Sequence, residues 1–233
     1  GQILSTRPDL LPPVYIAELS KLQDNVPPAP WEMIRETLVQ ELGVEPEQVF
    51  TTIYPQPMAA ASLAQVHAAT LPGGHEVVVK VQRPGITAVI STDLEILSSM
   101  AARAQTTQWG KVYDFVSMAN DFAFILRNEL DYRREGRNAD RFRKNFVHES
   151  HLYIPHIYWE YSSQRVLVLE RIHGIKIDDI PALDAADYDR HRVAVHSARV
   201  IIKEVLEDGF FHADAHPGNY NVMPGEVIGA MDF

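Results

Sequence analysis

The stretch Phe211-His212-Ala213-Asp214-Ala215-His216-Pro217-Gly218-Asn219, followed thirteen residues later by Asp232-Phe233, carries the reading of this chain. Phosphoryl transfer needs a carboxylate near the acceptor hydroxyl and oxygen ligands that hold Mg²⁺ against the phosphates, because positioning and charge neutralisation supply most of the catalysis. An H-x-D-x-x-x-x-N loop with Asp214 and Asn219 five apart, and a downstream D-F within reach of one short hairpin, meets that need. Taken singly, Asp214 reads equally well as a helix or turn cap, and Asn219 as a turn residue beside Pro217-Gly218. Their joint spacing with Asp232 favours chemistry. His212 reads as a brace for the loop backbone rather than as a catalyst. His212, Asp214 and His216 alternate and would suit a zinc hydrolase if they lay on a strand, but the Pro-Gly turn directly after them argues for a loop.

Outward from that loop, Lys80 ends the apolar run Val77-Val78-Val79, where a kinase strand places the lysine that contacts the α- and β-phosphates. Upstream, Ala59-Ala60-Ala61-Ser62 forms a turn between two strand candidates, at the place of a glycine-rich phosphate loop. An ordinary packed turn is the competing reading. Further on, Glu129, Asp131 and Glu135 fall within one helical stretch, with Asp131 and Glu135 four apart and expected on one face. Arg133, Arg134, Arg137, Arg141, Arg143 and Lys144 interleave with these acids and read as a solvated surface.

The remaining sequence frames these residues. Amphipathic spacing predicts helices over 13–23 and 31–42, separated by Pro27-Pro28-Ala29-Pro30. Strand patterns follow at 50–54, 62–68 and 76–81, the last after a Pro72-Gly73-Gly74 turn. Long helices are expected over 87–105 and 113–146, then strands at 154–160 and 165–170, and a helix over 187–207 ended by Asp208-Gly209. A sheet first and helices later is an α+β order. A hydrophobic content of 46% over 233 residues allows a real core. With 21 Lys and Arg against 31 Asp and Glu, the net charge of −10 opposes attraction to nucleic acid. No cysteine is present, so a metal must be held by oxygen or imidazole. No apolar run approaches the length of a membrane span, and the N-terminus lacks a signal-peptide pattern. Beginning without Met and stopping at Ala230-Met231-Asp232-Phe233, where a strand runs into a loop, the chain reads as a segment of a longer protein.

Together these residues resemble the UbiB family of atypical protein-kinase-like proteins, which are linked to ubiquinone and other prenylquinone metabolism in bacteria, mitochondria and plastids. Gly1-Gln2 looks like the end of the family's KxGQ motif, and 59–67 like its alanine-rich loop. Glu129-Leu130-Asp131 looks like its ExD motif, with Gln2, Glu129 and Asp131 in regulatory positions. Glu135 matches the glutamate that pairs with the strand lysine, Lys80. Asp214 matches the catalytic aspartate, and Asn219 and Asp232 the metal ligands. The resemblance implies a kinase-like fold with an antiparallel-sheet small lobe carrying inserted helices, and a truncated helical large lobe. The corresponding boundaries are 1–48 for an N-terminal extension, 49–172 for the small lobe with its insert at 87–146, and 173–233 for the start of the large lobe. It implies ATP and Mg²⁺ as cofactors, bound by Ala59, Ala60, Ala61, Ser62 and Lys80, with Leu169 beside the adenine and Glu170 to Ile172 as the hinge. The KxGQ helices would cover a peptide site, which suggests ATP hydrolysis or modification of a small or lipid-related molecule. Lipid, prenylquinone-pathway enzymes and peripheral membrane association are the further partners it allows. The aminoglycoside and choline kinases share a similar catalytic loop, and a pseudokinase scaffold for a quinone pathway is the rival of another class.

Overall fold

The computed structural model describes residues 27–213 and 216–233. Its first helix, α1 (Trp31–Leu42), ends at Gly43, whose φ of 73° suits glycine and whose N–H bonds the Val39 carbonyl. A short turn of helix, α2 (Pro46–Val49), leads into an antiparallel sheet. Its strands are β1 (Thr52–Ile53), β2 (Ala59–Ala60), β3 (Ala64–Thr70), β4 (Glu76–Gln82) and β6 (Val166–Glu170), in the order β1-β3-β4-β6 with β2 also on β3. The Ala run is therefore not wholly a turn. Ala59 and Ala60 pair with Val66 and Gln65, and the turn is confined to Ala61–Ala64, closed by the Ala61 N–H on the Ala64 carbonyl.

Alternation along β4 decides what faces what. Val77, Val79 and Val81 are fully buried against Ile34 and Leu38 of α1, Phe50, and Val166 and Val168 of β6. Each such side chain contributes roughly 1.5–3 kcal/mol by leaving water. Val78, Lys80 and Gln82 necessarily point to the opposite face. On β3, the buried Gln65 and His67 are structural: Gln65 accepts from the Ala29 N–H, and His67 donates to the Tyr54 carbonyl at 2.9 Å beneath Trp31.

After β4, α3 (Ile86–Gln105) and α4 (Phe115–Glu129) pack as a hairpin through Ile90 and Leu94, closed by a 3-10 turn at Gln108–Lys111. The single helix expected over 113–146 is broken: α4 stops at Glu129, and α5 spans Tyr132–Asn145. Asp131 makes the break by accepting from the Arg133 N–H, so it caps α5 instead of sharing a helical face with Glu135. Gln82 reinforces it from β4, donating to the Leu130 carbonyl at 2.6 Å. Asp131→Ala is expected to cost about 1 kcal/mol of stability as a lost N-cap, read from the urea midpoint. Its exposed pairing with Arg133 adds little to that. An unchanged midpoint would show that the cap does not hold the break.

The strand expected at 154–160 does not form. Pro155 lacks the N–H a ladder requires, and the stretch provides only one bridge, Ile157 to Leu169, before a 3-10 turn at Trp159–Tyr161. Residues 171–174 then cross to a second sheet, ordered β5-β9-β8-β7, of β5 (Leu152–Tyr153), β7 (Ile175–Lys176), β8 (Tyr220–Met223) and β9 (Val227–Ala230). Its β5–β9 pair is parallel. Between β7 and β8 lie α6 (Ile180–Ala185) and α7 (Arg190–Ile202). Asp189 caps α7, and a wider helical turn carries it to Asp208 before Gly209 (φ 58°) reverses the chain. The helix expected over 187–207 is thus present.

Candidate functional site

Lys80 extends from the sheet face opposite α1, between Val66 and Leu167 on the neighbouring strands. One turn into α5, Glu135 meets it: the Lys80 Nζ donates to both Glu135 carboxylate oxygens at 2.8 Å and to Asp232 Oδ1 at 2.9 Å. Three fixed points bring Glu135 there. Gln82 holds Leu130, the Tyr132 N–H donates to the Gln164 carbonyl at 3.0 Å, and Gly136 lets α5 lie against β6. A Cβ at Gly136 would stand 2.7 Å from Trp159 Cη2 and 3.3 Å from Leu167 Cδ1.

The β8–β9 hairpin supplies the other side. Tyr220 pairs with Ala230, and the Met231 N–H donates to the Asn219 carbonyl at 2.9 Å, so Asn219 and Asp232 leave the same end of the hairpin. His212 braces this end. Its Nε2 donates to the Asp232 carbonyl at 3.0 Å, and its N–H reaches Glu204 Oε2 at 3.2 Å. Beneath them Phe142 of α5 packs on Phe210 and Phe233, with ring centroids 4.7 and 5.9 Å away. His216 Nδ1 accepts from the Gly218 N–H, a local cap rather than a strand-face ligand. Among the described residues no group of three or more His, Cys, Asp or Glu is arranged to hold a metal by itself. Asp214, the middle member of the alternating set His212, Asp214 and His216, lies outside the described residues.

Charge in the cluster is uneven. Burial pushes the Glu135 carboxyl up to about 8, with Asp232 adding to the rise and Lys80 opposing it. Asp232 is held below the usual carboxylate range: burial works against it, but Lys80 and the Glu135 hydrogen bond prevail. Lys80 is raised, since the two carboxylates outweigh its own burial. Of the two carboxyls, Glu135 is thus the one that takes up a proton more readily, while Asp232 stays ionised beside Lys80.

A cavity of about 610 Å³ opens on these groups. Ala61, Ser62, Lys80, Glu129, Asp131, Glu135, Asn219 and Asp232 all line it. Ala59 and Ala60 do not; their backbone is engaged with β3. Leu169, Glu170 and Ile172 do not line it; they stand at the end of β6 and on the crossing between the two sheets. There the Glu170 carboxylate accepts from the Tyr153 hydroxyl at 2.7 Å and from the His156 N–H. Gln2 and Asp214 fall outside the described residues. The run of basic residues, expected at the surface from its charge pattern, is not uniformly there. Arg134 lines the cavity, and the Arg141 guanidinium stacks 3.9 Å from the Phe210 ring centre. Tyr132 and Asn138 also line the cavity and were not singled out in the sequence, although both share the helix of Glu135.

A lysine on an antiparallel strand held by a helix glutamate, with a loop and hairpin delivering Asn219 and Asp232 to the same cavity, is a kinase-like fold and arrangement. Residues 21–233 match the ABC1 atypical kinase-like domain, and the chain belongs to this family of UbiB-type proteins. It is 47% identical over 221 residues to a probable protein kinase UbiB of Marinobacter nauticus, covering 94% of this chain and 40% of that protein. It is 42% identical over 233 residues to the chloroplastic protein ACTIVITY OF BC1 COMPLEX KINASE 7 of Arabidopsis thaliana, covering 100% of this chain and 34% of that protein. An uncharacterized Synechocystis protein is 46% identical over 231 residues, covering 98% of this chain and 40% of the relative. The chain thus spans well under half the length of these curated relatives. Among solved structures, a Mycobacterium tuberculosis protein in complex with erythromycin superposes with a TM-score of 0.73 at 28% identity, over 100% of this chain and 59% of that one. No helix among the described residues is long and apolar enough to cross a membrane.

Proposed function

We propose that this chain holds ATP and Mg²⁺ for an atypical kinase or ATPase that supports ubiquinone or other prenylquinone biosynthesis, or lipid metabolism. The observation that carries the reading is the position of Lys80, 2.8 Å from Glu135 and 2.9 Å from Asp232 at the mouth of a cavity that Asn219 also lines. The donor set fits the cofactors: one ammonium for phosphate oxygens, and an ionised carboxylate with a carboxamide for a hard cation that prefers oxygen. When bound, ATP supplies the phosphoryl group and Mg²⁺ neutralises its charge. Lys80, oriented by Glu135, binds the phosphates from the sheet side, and Ala61-Ser62 covers them. Asn219 and Asp232 hold the metal from the hairpin side. Asp214 orients the attacking hydroxyl or water. Leu169 flanks the adenine and Glu170 to Ile172 form the hinge between the two sheets. Gln2, Glu129 and Asp131 regulate access to the cavity.

The acceptor is a small or membrane-derived molecule, or water, and not a protein in trans. Supporting this, the α4–α5 junction occupies one wall of the cavity with Asn128, Glu129 and Asp131. The test uses the full-length protein with radiolabelled ATP, generic protein substrates, and lipid vesicles. Phosphate release that is lost in Asp214→Asn, without labelling of the proteins, is expected. Strong Asp214-dependent labelling of proteins in trans would overturn the choice of acceptor.

A further inference from the structure

The aromatic ring of Tyr132 lies against Lys80, with Nζ 5.2 Å from the ring centre. Tyr132 is the first residue of α5 and stands three positions before Glu135, so one helix reaches Lys80 with both a carboxylate and an aromatic face. Its backbone is tied by the N–H bond to Gln164, and its side chain is 4% exposed while still contributing to the cavity wall. The phenolic hydroxyl is buried and has no hydrogen-bond partner among the described residues. An orphaned hydroxyl destabilises the fold. What this side chain contributes is therefore its ring.

We infer that Tyr132 is a positioning residue for Lys80, its ring face holding the ammonium in line for phosphate by a cation–π contact; the inference rests on the nucleotide reading above. A lysine side chain is a point charge on a flexible four-carbon stem. Glu135 and Asp232 restrain its head group through oxygens that compete with phosphate for its protons. The aromatic face restrains it without taking one. The hydroxyl is dispensable, and phenylalanine at 132 performs the same task.

The experiment measures the ATP·Mg²⁺ dissociation constant of the full-length protein and its Tyr132→Phe, Tyr132→Leu and Lys80→Met variants, with the urea midpoint of each as control. Tyr132→Phe is expected to bind within twofold of wild type at an equal or higher midpoint. Tyr132→Leu is expected to bind about fivefold more weakly or worse, in keeping with a desolvated cation–π contact. A folded Tyr132→Leu with wild-type affinity, while Lys80→Met binds weakly, overturns this inference alone. So does a Tyr132→Phe that loses affinity, because the hydroxyl would then be the working group; this arm decides the matter even if the leucine variant does not fold. Wild-type affinity in Lys80→Met overturns the nucleotide reading and this inference with it.

Discussion

Replacing Glu135 with glutamine is expected to cost several-fold more nucleotide affinity than its effect on stability suggests, and Lys80→Met to do the reverse. The pair is 21% and 11% exposed at its two side chains. Removing one partner of such a pair costs about 3–5 kcal/mol when the other stays charged. In Glu135→Gln the lysine keeps Asp232, so the fold is largely spared while Lys80 is misdirected. In Lys80→Met two neighbouring carboxylates are left without a cation. They lower their cost by sharing a proton, which makes this variant more stable toward acid. The double variant should depart from additivity by at least about 0.5 kcal/mol, as groups in contact do. Strict additivity, in unfolding and in nucleotide binding, would put Glu135 on a solvated face.

The same cluster sets a pH dependence. Glu135 titrates near 8 in the folded chain and near its ordinary 4.5 when unfolded. Between those values the folded state holds a proton that the unfolded state has released, so this group stabilises the fold below about 4.5 and the contribution is lost as pH rises through about 8. Asp232, depressed, acts in the opposite sense only in acid, below its ordinary 3.8. Urea midpoints from pH 5 to pH 8.5 should therefore fall more steeply in wild type than in Glu135→Gln. Parallel slopes would contradict the raised carboxyl.

Gly136→Val should damage the fold and the site together. Even a methyl group would meet Trp159 at 2.7 Å, and the Trp159 indole N–H is anchored on Asp140 of the same helix at 2.8 Å. Valine adds more bulk and is a poor helix former. Overpacking of this kind costs about 1–3 kcal/mol, or more where neighbours cannot move. Because Glu135 is the adjacent residue, displacement of α5 from β6 also draws its carboxylate away from Lys80. Loss of both stability and nucleotide affinity is expected, measured by unfolding and titration together. Gly136→Ala gives the smaller version, with gained helix propensity of about 1 kcal/mol opposing the clash. A valine variant as stable as wild type would mean that α5 does not need this close approach.

The parts of the site legible in sequence were those with a fixed local geometry. Asn219 and Asp232 meet because a two-stranded turn of that length closes on itself, and Lys80 faces away from α1 because a strand alternates. Glu135 can be named from its place after Glu129-Leu130-Asp131, but the break before its helix is hidden in sequence, since Asp131 looks like one more acid in a charged helix until its side chain accepts from the Arg133 N–H. Gly136 and Tyr132 carry weaker signals: a glycine inside a helix marks a close approach, and an aromatic beside a charged cluster offers a face for a cation. The strand at 154–160 was an apolar spacing without regard to Pro155. The second sheet is hardly legible, because β5 and β7 are two residues each and gain their partners only from β9 and β8, 76 and 45–47 residues further on. Arg134 could not be told from its surface neighbours by composition, since cavity and solvent favour the same side chain.

The central claim is that Lys80, Asn219 and Asp232 form one nucleotide–metal site, and calorimetric titration of ATP tests it most directly, with Mg²⁺ and with a chelator in its place, in the full-length protein and in Asp232→Asn. Saturable binding that requires Mg²⁺ and weakens at least tenfold in Asp232→Asn, about 1.4 kcal/mol, is the predicted result. ATP affinity that is the same with and without Mg²⁺, or unchanged by Asp232→Asn, would contradict it.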